Sequence, residues 1–250
     1  MKATLFVLGL WLAMSAGQMA LAAEIASTSR FDAAIQSNVA RVTTKKEFRN
    51  VQASVEDGIV TLTGNVDVYR QKLDATKKVR KVANVQGVRN LIVVNGNVSD
   101  AQLTAALDRR LYYDRLGQDN VFNYVTASAH NGVVTLSGET RNEFDRDSAL
   151  WLVDNTTGVT DVIDNVKVAP TSIFDDRLRI SVLRAIYRDP VLSRYAIDPA
   201  KPIRIVVDHG HLSLYGTVAS TLDRQVAGIR ASQVFGAFTV QNNLQVEKKS

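Results

Sequence analysis

The chain has 250 residues, 46% hydrophobic and 22% charged, with 30 Lys+Arg against 25 Asp+Glu and a net charge of +5. That length exceeds what a single core usually serves, and with only 4 prolines the composition is that of folded domains rather than of a disordered chain. Cysteine is absent, which excludes a disulfide framework, a thiolate nucleophile, a CxxC redox pair, a cysteine zinc site and a lipidated cysteine at a processing point.

The first 23 residues read as a signal peptide. Lys2 is a short positive start, Leu5–Met14 is a 10-residue apolar stretch, and Ala20-Leu21-Ala22 places small residues where a signal peptidase reads them. A membrane span needs about 20 apolar residues, and Ser15, Gly17 and Gln18 interrupt this one. Cleavage is expected after Ala22 or Ala23, with delivery to a periplasm, no acyl anchor, and no later segment able to span a bilayer.

From Phe31 onward one pattern occurs three times, over 31–95, 99–169 and 173–247. In the first copy a helix starts near Asp32, taken as its N-cap. Val51-Ala53-Val55 then alternate as one face of a strand, Asp57-Gly58 marks a tight hairpin turn, and Val60 and Leu62 face the partner strand. Gly64 closes the hairpin, and Val68, Ala75, Val79 and Val82 recur at helical spacing. Asn84 can take the left-handed conformation at the helix exit, and an apolar run follows over Val85–Val93.

The second copy repeats these marks with Asp100, Val125-Ala127-Ala129, Asn131-Gly132, Val134 and Leu136, Gly138, Gly158 and Val159–Val168. The third has Asp175, Ile203-Ile205-Val207, His209-Gly210, Leu212 and Leu214, Gly216, Gly236 and Ala237–Val246. Its first loop, Asp189–Lys201, is longer, and the first copy reads as one residue shorter near Asn90. The order is α-β-β-α-β, which predicts an α+β protein of three tandem modules, each a small three-stranded mixed sheet covered by two helices.

The D/N-G-x-V-x-L-x-G hairpin and the closing run Gly158-Val159-Thr160-Asp161-Val162-Ile163-Asp164-Asn165-Val166-Lys167-Val168 resemble the BON family (bacterial OsmY and nodulation). The resemblance covers nearly all of residues 31–246. It implies a role in envelope integrity or osmotic stress, contact with phospholipid surfaces and, in some members, periplasmic chaperoning.

Catalytic chemistry has little to stand on. Asp208, His209 and His211 are the one metal-like grouping, but the two histidines align with Asp57 and Ile59 in the first copy and with Asn131 and Val133 in the second, so they read as turn and strand positions. A zinc site would need further ligands, and a serine nucleophile would need a better placed base. The expectation is a protein with no enzymatic activity, cofactor or metal.

Charge separates the copies. Residues 31–94 carry 11 Lys+Arg against 6 Asp+Glu, residues 100–169 carry 6 against 11, and residues 174–246 carry 9 against 6. In the first copy the cations concentrate on the second helix as Arg70, Lys72, Lys77, Lys78, Arg80 and Lys81. These form a solvated face, a site for anionic phospholipid headgroups or a surface by which copy one docks on the acidic copy two; nucleic acid is not expected as a partner in this compartment. Where the first copy has Arg70 and Lys77, the second has Phe144 and Trp151 and the third Leu222 and Ile229. Those four are expected to be an interface, first of all between copies two and three, or a surface for envelope proteins or unfolded clients as in a holdase.

Overall fold

The computed structural model describes residues 31–113, 121–196 and 202–247; the expected signal peptide lies outside them. The chain divides into two compact units, Met1–Asn95 and Gly96–Ser250. The first holds one α-β-β-α-β module and the second holds two.

In the first module helix α1 (31–43) leads through a short 3-10 turn at Lys46–Phe48 into strands β1 (Val51–Glu56) and β2 (Ile59–Val66). Helix α2 (Tyr69–Val79) and strands β3 (Gly87–Asn90) and β4 (Val93–Val94) follow. β2 lies between antiparallel β1 and parallel β3–β4. The alternating residues of β1 and β2 send Val51, Val60 and Leu62 inward against Ile35 and Val39 of α1 and Ala75 and Val79 of α2, with Phe48, Ile92 and Val94 closing the core.

The second module is α3 (Asp100–Tyr113), β5 (Tyr124–His130), β6 (Val133–Thr140), α4 (Glu143–Asp154) and β7 (Asp161–Val168). The third is α5 (Ile173–Tyr187), β8 (Arg204–Asp208), β9 (His211–Tyr215), β10 (Thr217–Val218), α6 (Thr221–Ser232), β11 (Thr239–Asn242) and β12 (Gln245–Val246).

The positive-φ residues of the described chain fall at the same places in every module: both turn residues (57 and 58, 131 and 132, 209 and 210), the hairpin glycine (64, 138, 216) and the helix exit (84, 158, 236). At the hairpin glycine the constraint is also one of space. A Cβ on Gly64 would lie 2.0 Å from the Asn50 carbonyl oxygen, and on Gly138 2.0 Å from that of Tyr124, so no side chain fits.

Two sequence expectations are corrected. Asp32, Asp100 and Asp175 do not cap their own helices; their carboxylates hold the hairpin turn. Asp32 accepts the Asp57 and Gly58 amides at 2.9 and 2.8 Å, Asp100 those of Asn131 and Gly132 at 2.8 and 3.0 Å, and Asp175 those of His209 and Gly210 at 3.1 and 2.8 Å. Two adjacent amides with positive φ point the same way and form a small anion seat. The seat holds the Asp100 carboxyl below its usual range, through the Gly132 amide first and the Asn131 amide second. The N-cap oxygen comes instead from Ser172 for α5, as it does from Asn142 for α4 and Ser220 for α6.

The first module is also not one residue shorter near Asn90. The central strand pairs with residues 28 further on in all three modules, as in Ile59↔Gly87, Val133↔Asp161 and His211↔Thr239. Asn90 is therefore the equivalent of Asp164 and Asn242. Each folds its Oδ1 onto the amide two residues on, that of Ile92, Val166 or Leu244 at 3.0, 3.0 or 3.3 Å. Each also ties the last strand to the second helix. Asn90 donates to the Lys72 carbonyl at 2.9 Å, Asn242 to that of Arg224 at 2.7 Å, and Asp164 accepts from Arg146 Nε at 2.8 Å.

Within the second unit the two modules share a contact made by sheet residues. Tyr124 of β5 stacks on Tyr215 of β9 with ring centroids 3.9 Å apart and planes 4° from parallel. Arg204 of β8, 4% exposed, donates to the Asn123 carbonyl at 3.1 Å, and Phe122 joins the core of the third module. Asp176 of α5 accepts from Arg141 at 3.1 Å and from Arg179 at 2.8 Å.

Candidate functional site

The six cations named on the second helix of the first module do not form one face. Arg70 is half-buried and pairs with Asp74 at 3.3 Å. Lys72 is half-buried. Lys78 turns to the other side, where its ammonium lies 4.7 Å from the centre of the Phe48 ring and pairs with Glu47, holding that carboxyl below its usual range. Lys77, Arg80 and Lys81 are exposed, and their charged groups have no ion-pair partner among the described residues. They gather where α2 ends, the end at which the helix dipole favours cations. The chain leaves this end through Asn84, beside a depression of about 350 Å³ lined by Phe31, Asp32, Asp57, Gly58, Asn84, Val85 and Gln86. Phe31 at its rim is 54% exposed, so an aromatic ring lies at the end of the module to which the cations lead.

Phe144 and Trp151 on α4 and Leu222 and Ile229 on α6 remain in solvent, 74%, 54%, 59% and 54% exposed. Modules two and three do pack together, as the sequence suggested, but through Tyr124, Tyr215, Arg204 and Asn123 and not through these four. The strips are thus left open. On α4 the exposed positions between and beside the two aromatic rings are acidic, Glu143 and Asp147.

The structure adds an apolar tip on the third module that the motif reading passed over. Phe235 is fully exposed, and Phe238 stacks on Phe174 with centroids 6.0 Å apart. The signal was present: Phe235 and Phe238 stand where the first copy has Ala83 and Gln86 and the second Thr157 and Thr160.

The histidines act locally. His209 sits in the turn at φ 48° with Nδ1 2.5 Å from Asp208, and His211 Nδ1 lies 2.8 Å from Thr239 Oγ1. Among the described residues no three His, Asp or Glu side chains converge as a metal site would require, and no helix is long and apolar enough to cross a membrane.

Comparison with known proteins agrees with the repeat. No curated protein matches the chain significantly. Among solved structures it is similar to CdsD, a structural protein of the type III secretion system of Chlamydia trachomatis, at 13% identity over 85% of this chain and 91% of that one, with a TM-score of 0.25. It is also similar to the periplasmic domain of the type III secretion inner-membrane protein PrgH of S. typhimurium, at 13% identity over 83% and 98%, with a TM-score of 0.19. The BON domain matches three times, over 31–96, 99–170 and 176–248, each match spanning one helix-clamped hairpin with its second helix and last strand, and the chain belongs to the BON domain family.

Proposed function

We propose that the chain is a non-enzymatic periplasmic protein that docks on anionic phospholipid surfaces through the end of α2. The observation that carries this reading is the trio Lys77, Arg80 and Lys81, exposed together without an ion-pair partner among the described residues. Each cation near an anionic surface contributes about 1 kcal/mol, so three shift partitioning by roughly a hundredfold at low salt. That is enough for reversible docking and too little for permanent anchorage. Phe31 at the same end supplies an apolar group suited to the headgroup layer.

The test is co-sedimentation of the chain lacking residues 1–23 with anionic and with zwitterionic vesicles, at low and high salt. Salt-sensitive binding to anionic vesicles alone, lost in K77E/R80E/K81E, is the expected result. Lys78→Glu is kept out of the variant because it would place two acids against each other at Glu47. Binding that survives the triple reversal, or no binding to anionic vesicles at low salt, overturns the reading.

A second reading, a holdase or scaffold, draws on the exposed strips of α4 and α6. It requires suppression of client aggregation that persists at high salt and is lost in F144S/W151S.

A further inference from the structure

The exposed faces of α2 and α4 occupy equivalent positions of the repeat and have opposite character. In α2 the outward positions are Arg70, half-buried and paired with Asp74, then Leu73 and Lys77; in α4 they are Phe144, Asp147 and Trp151. One face is cationic, apolar, cationic, and the other is aromatic, acidic, aromatic. Glu143 is paired with Arg146 at 3.0 Å, which leaves Asp147 as the acid of that face without an ion-pair partner among the described residues, and Lys81, just past the end of α2, extends its basic character. The modules behind them carry the matching imbalance, 11 Lys+Arg against 6 Asp+Glu over residues 31–94 and 6 against 11 over residues 100–169.

We propose that α4 is a docking surface for α2 of a second copy of this chain, so that the protein self-associates head to tail. Three features favour that occupant. Phe144 and Trp151 are 74% and 54% exposed, more aromatic surface than a solvated helix requires. Lys77 set over one of those rings gains cation–π attraction as well as the charge of Asp147, and Leu73, 38% exposed, supplies an apolar contact beside it. Complementary potentials of this kind select and orient a partner. Because each copy presents both faces and the faces differ, the contact is heterologous and grows into chains or closed rings rather than stopping at a symmetric pair. The α6 strip, Leu222, Gln225 and Ile229, has no charge to pair with α2 and is not part of this contact.

The experiment is sedimentation velocity of the chain lacking residues 1–23 across a concentration series, at low and high salt, with two charge-swapped variants. In one, K77E/K81E, the exposed end of α2 becomes acidic; in the other, D147K/W151K, α4 becomes basic. The expected result is a sedimentation coefficient that rises with concentration for the wild type at low salt and falls back at high salt. Each variant alone should stay monomeric, and their mixture should form a one-to-one complex through the swapped pair. A wild type that is monomeric at every concentration overturns the proposal, as does assembly that persists in both variants or a mixture that fails to pair. Vesicle binding read on F144S/W151S, which removes the α4 contact without adding a cation and leaves Lys77, Arg80 and Lys81 intact, keeps this separate from the lipid reading. A wild type that assembles yet ignores anionic vesicles supports self-association while removing membrane docking.

Discussion

In the first module the outward face of β1 carries Gln52, Ser54 and Glu56, all exposed, as are Thr126, Ser128 and His130 at the same positions of β5. The equivalent residues of β8 are Arg204, Val206 and Asp208, and the first two are 4% and 6% exposed. A single α-β-β-α-β unit is thus built to leave one sheet face in water, and the third module departs from that rule because the second covers part of it. The local text differs accordingly: V-Q-A-S-V-E alternates as a half-buried strand does, whereas I-R-I-V-V is nearly continuous, as in a strand buried on both faces.

The largest expected effect comes from placing an unpaired charge on the covered face. Val206→Asp should cost about 4 kcal/mol by leaving a carboxylate buried without a partner. Ser54→Asp at the matching place in the first module should change stability by no more than about 0.5 kcal/mol. Urea denaturation followed by far-UV circular dichroism compares the two; equal costs would mean that the β8 face is not covered in solution.

A smaller difference is expected at the carboxylate that holds the turn. Asp175 is 1% exposed and the bond it accepts from the Gly210 amide is buried, so Asp175→Ala should cost about 3 kcal/mol. Asp32 makes the same two bonds nearer to water, which can replace them, and Asp32→Ala should cost about 1 kcal/mol. The same denaturation experiment, run on both variants, decides whether burial sets the difference.

The smallest effect is at Glu139, in the second module's β6. Its Oε1 is buried without a hydrogen-bond partner among the described residues. Burial raises its pKa first, and the charge of Asp208 in the neighbouring module adds to the rise. A carboxyl whose folded pKa is raised contributes stability below its unfolded pKa and loses it as pH rises through the folded value. Glu139→Gln should therefore give a small gain in Tm at neutral pH, and none below the ordinary carboxylate range. A loss of stability at neutral pH would show that the ionised form is being held by a partner.

The repeat and its turn chemistry were legible in the sequence because each depends on residue types with few alternatives. Asp57-Gly58, Asn131-Gly132 and even His209-Gly210 fall in the turn, since the second glycine of each hairpin fixes the register. What escaped were roles that depend on distance in space. Asp32, Asp100 and Asp175 stand at helix starts, where an acid has a local reason to be, and nothing in the sequence says that the hairpin returns to them. The equivalence of Asn90 with Asp164 and Asn242 rests on the strand pairing, which the residue types alone do not reveal. The sequence puts all six cations on one helix, whereas Arg80 and Lys81 lie just past its end at Val79, and the division between Lys78, bound to Glu47, and the exposed trio depends on the 3-10 turn at Lys46–Phe48. The exposed apolar side chains of α4 and α6 suggest an interface, and the contact between the two modules lies on the sheets instead, where Tyr124 and Tyr215 stack face to face.

The carboxylate clamp has one further consequence. The amides of a tight hairpin turn normally face water and exchange their hydrogens quickly. Here the amides of Asp57 and Gly58, Asn131 and Gly132, and His209 and Gly210 are each bonded to a residue from the opening helix of their own module. Their protection from exchange therefore registers whether that helix is seated, separately for each module. Six backbone hydrogens, two to a module, give a built-in record of which part of the chain opens first.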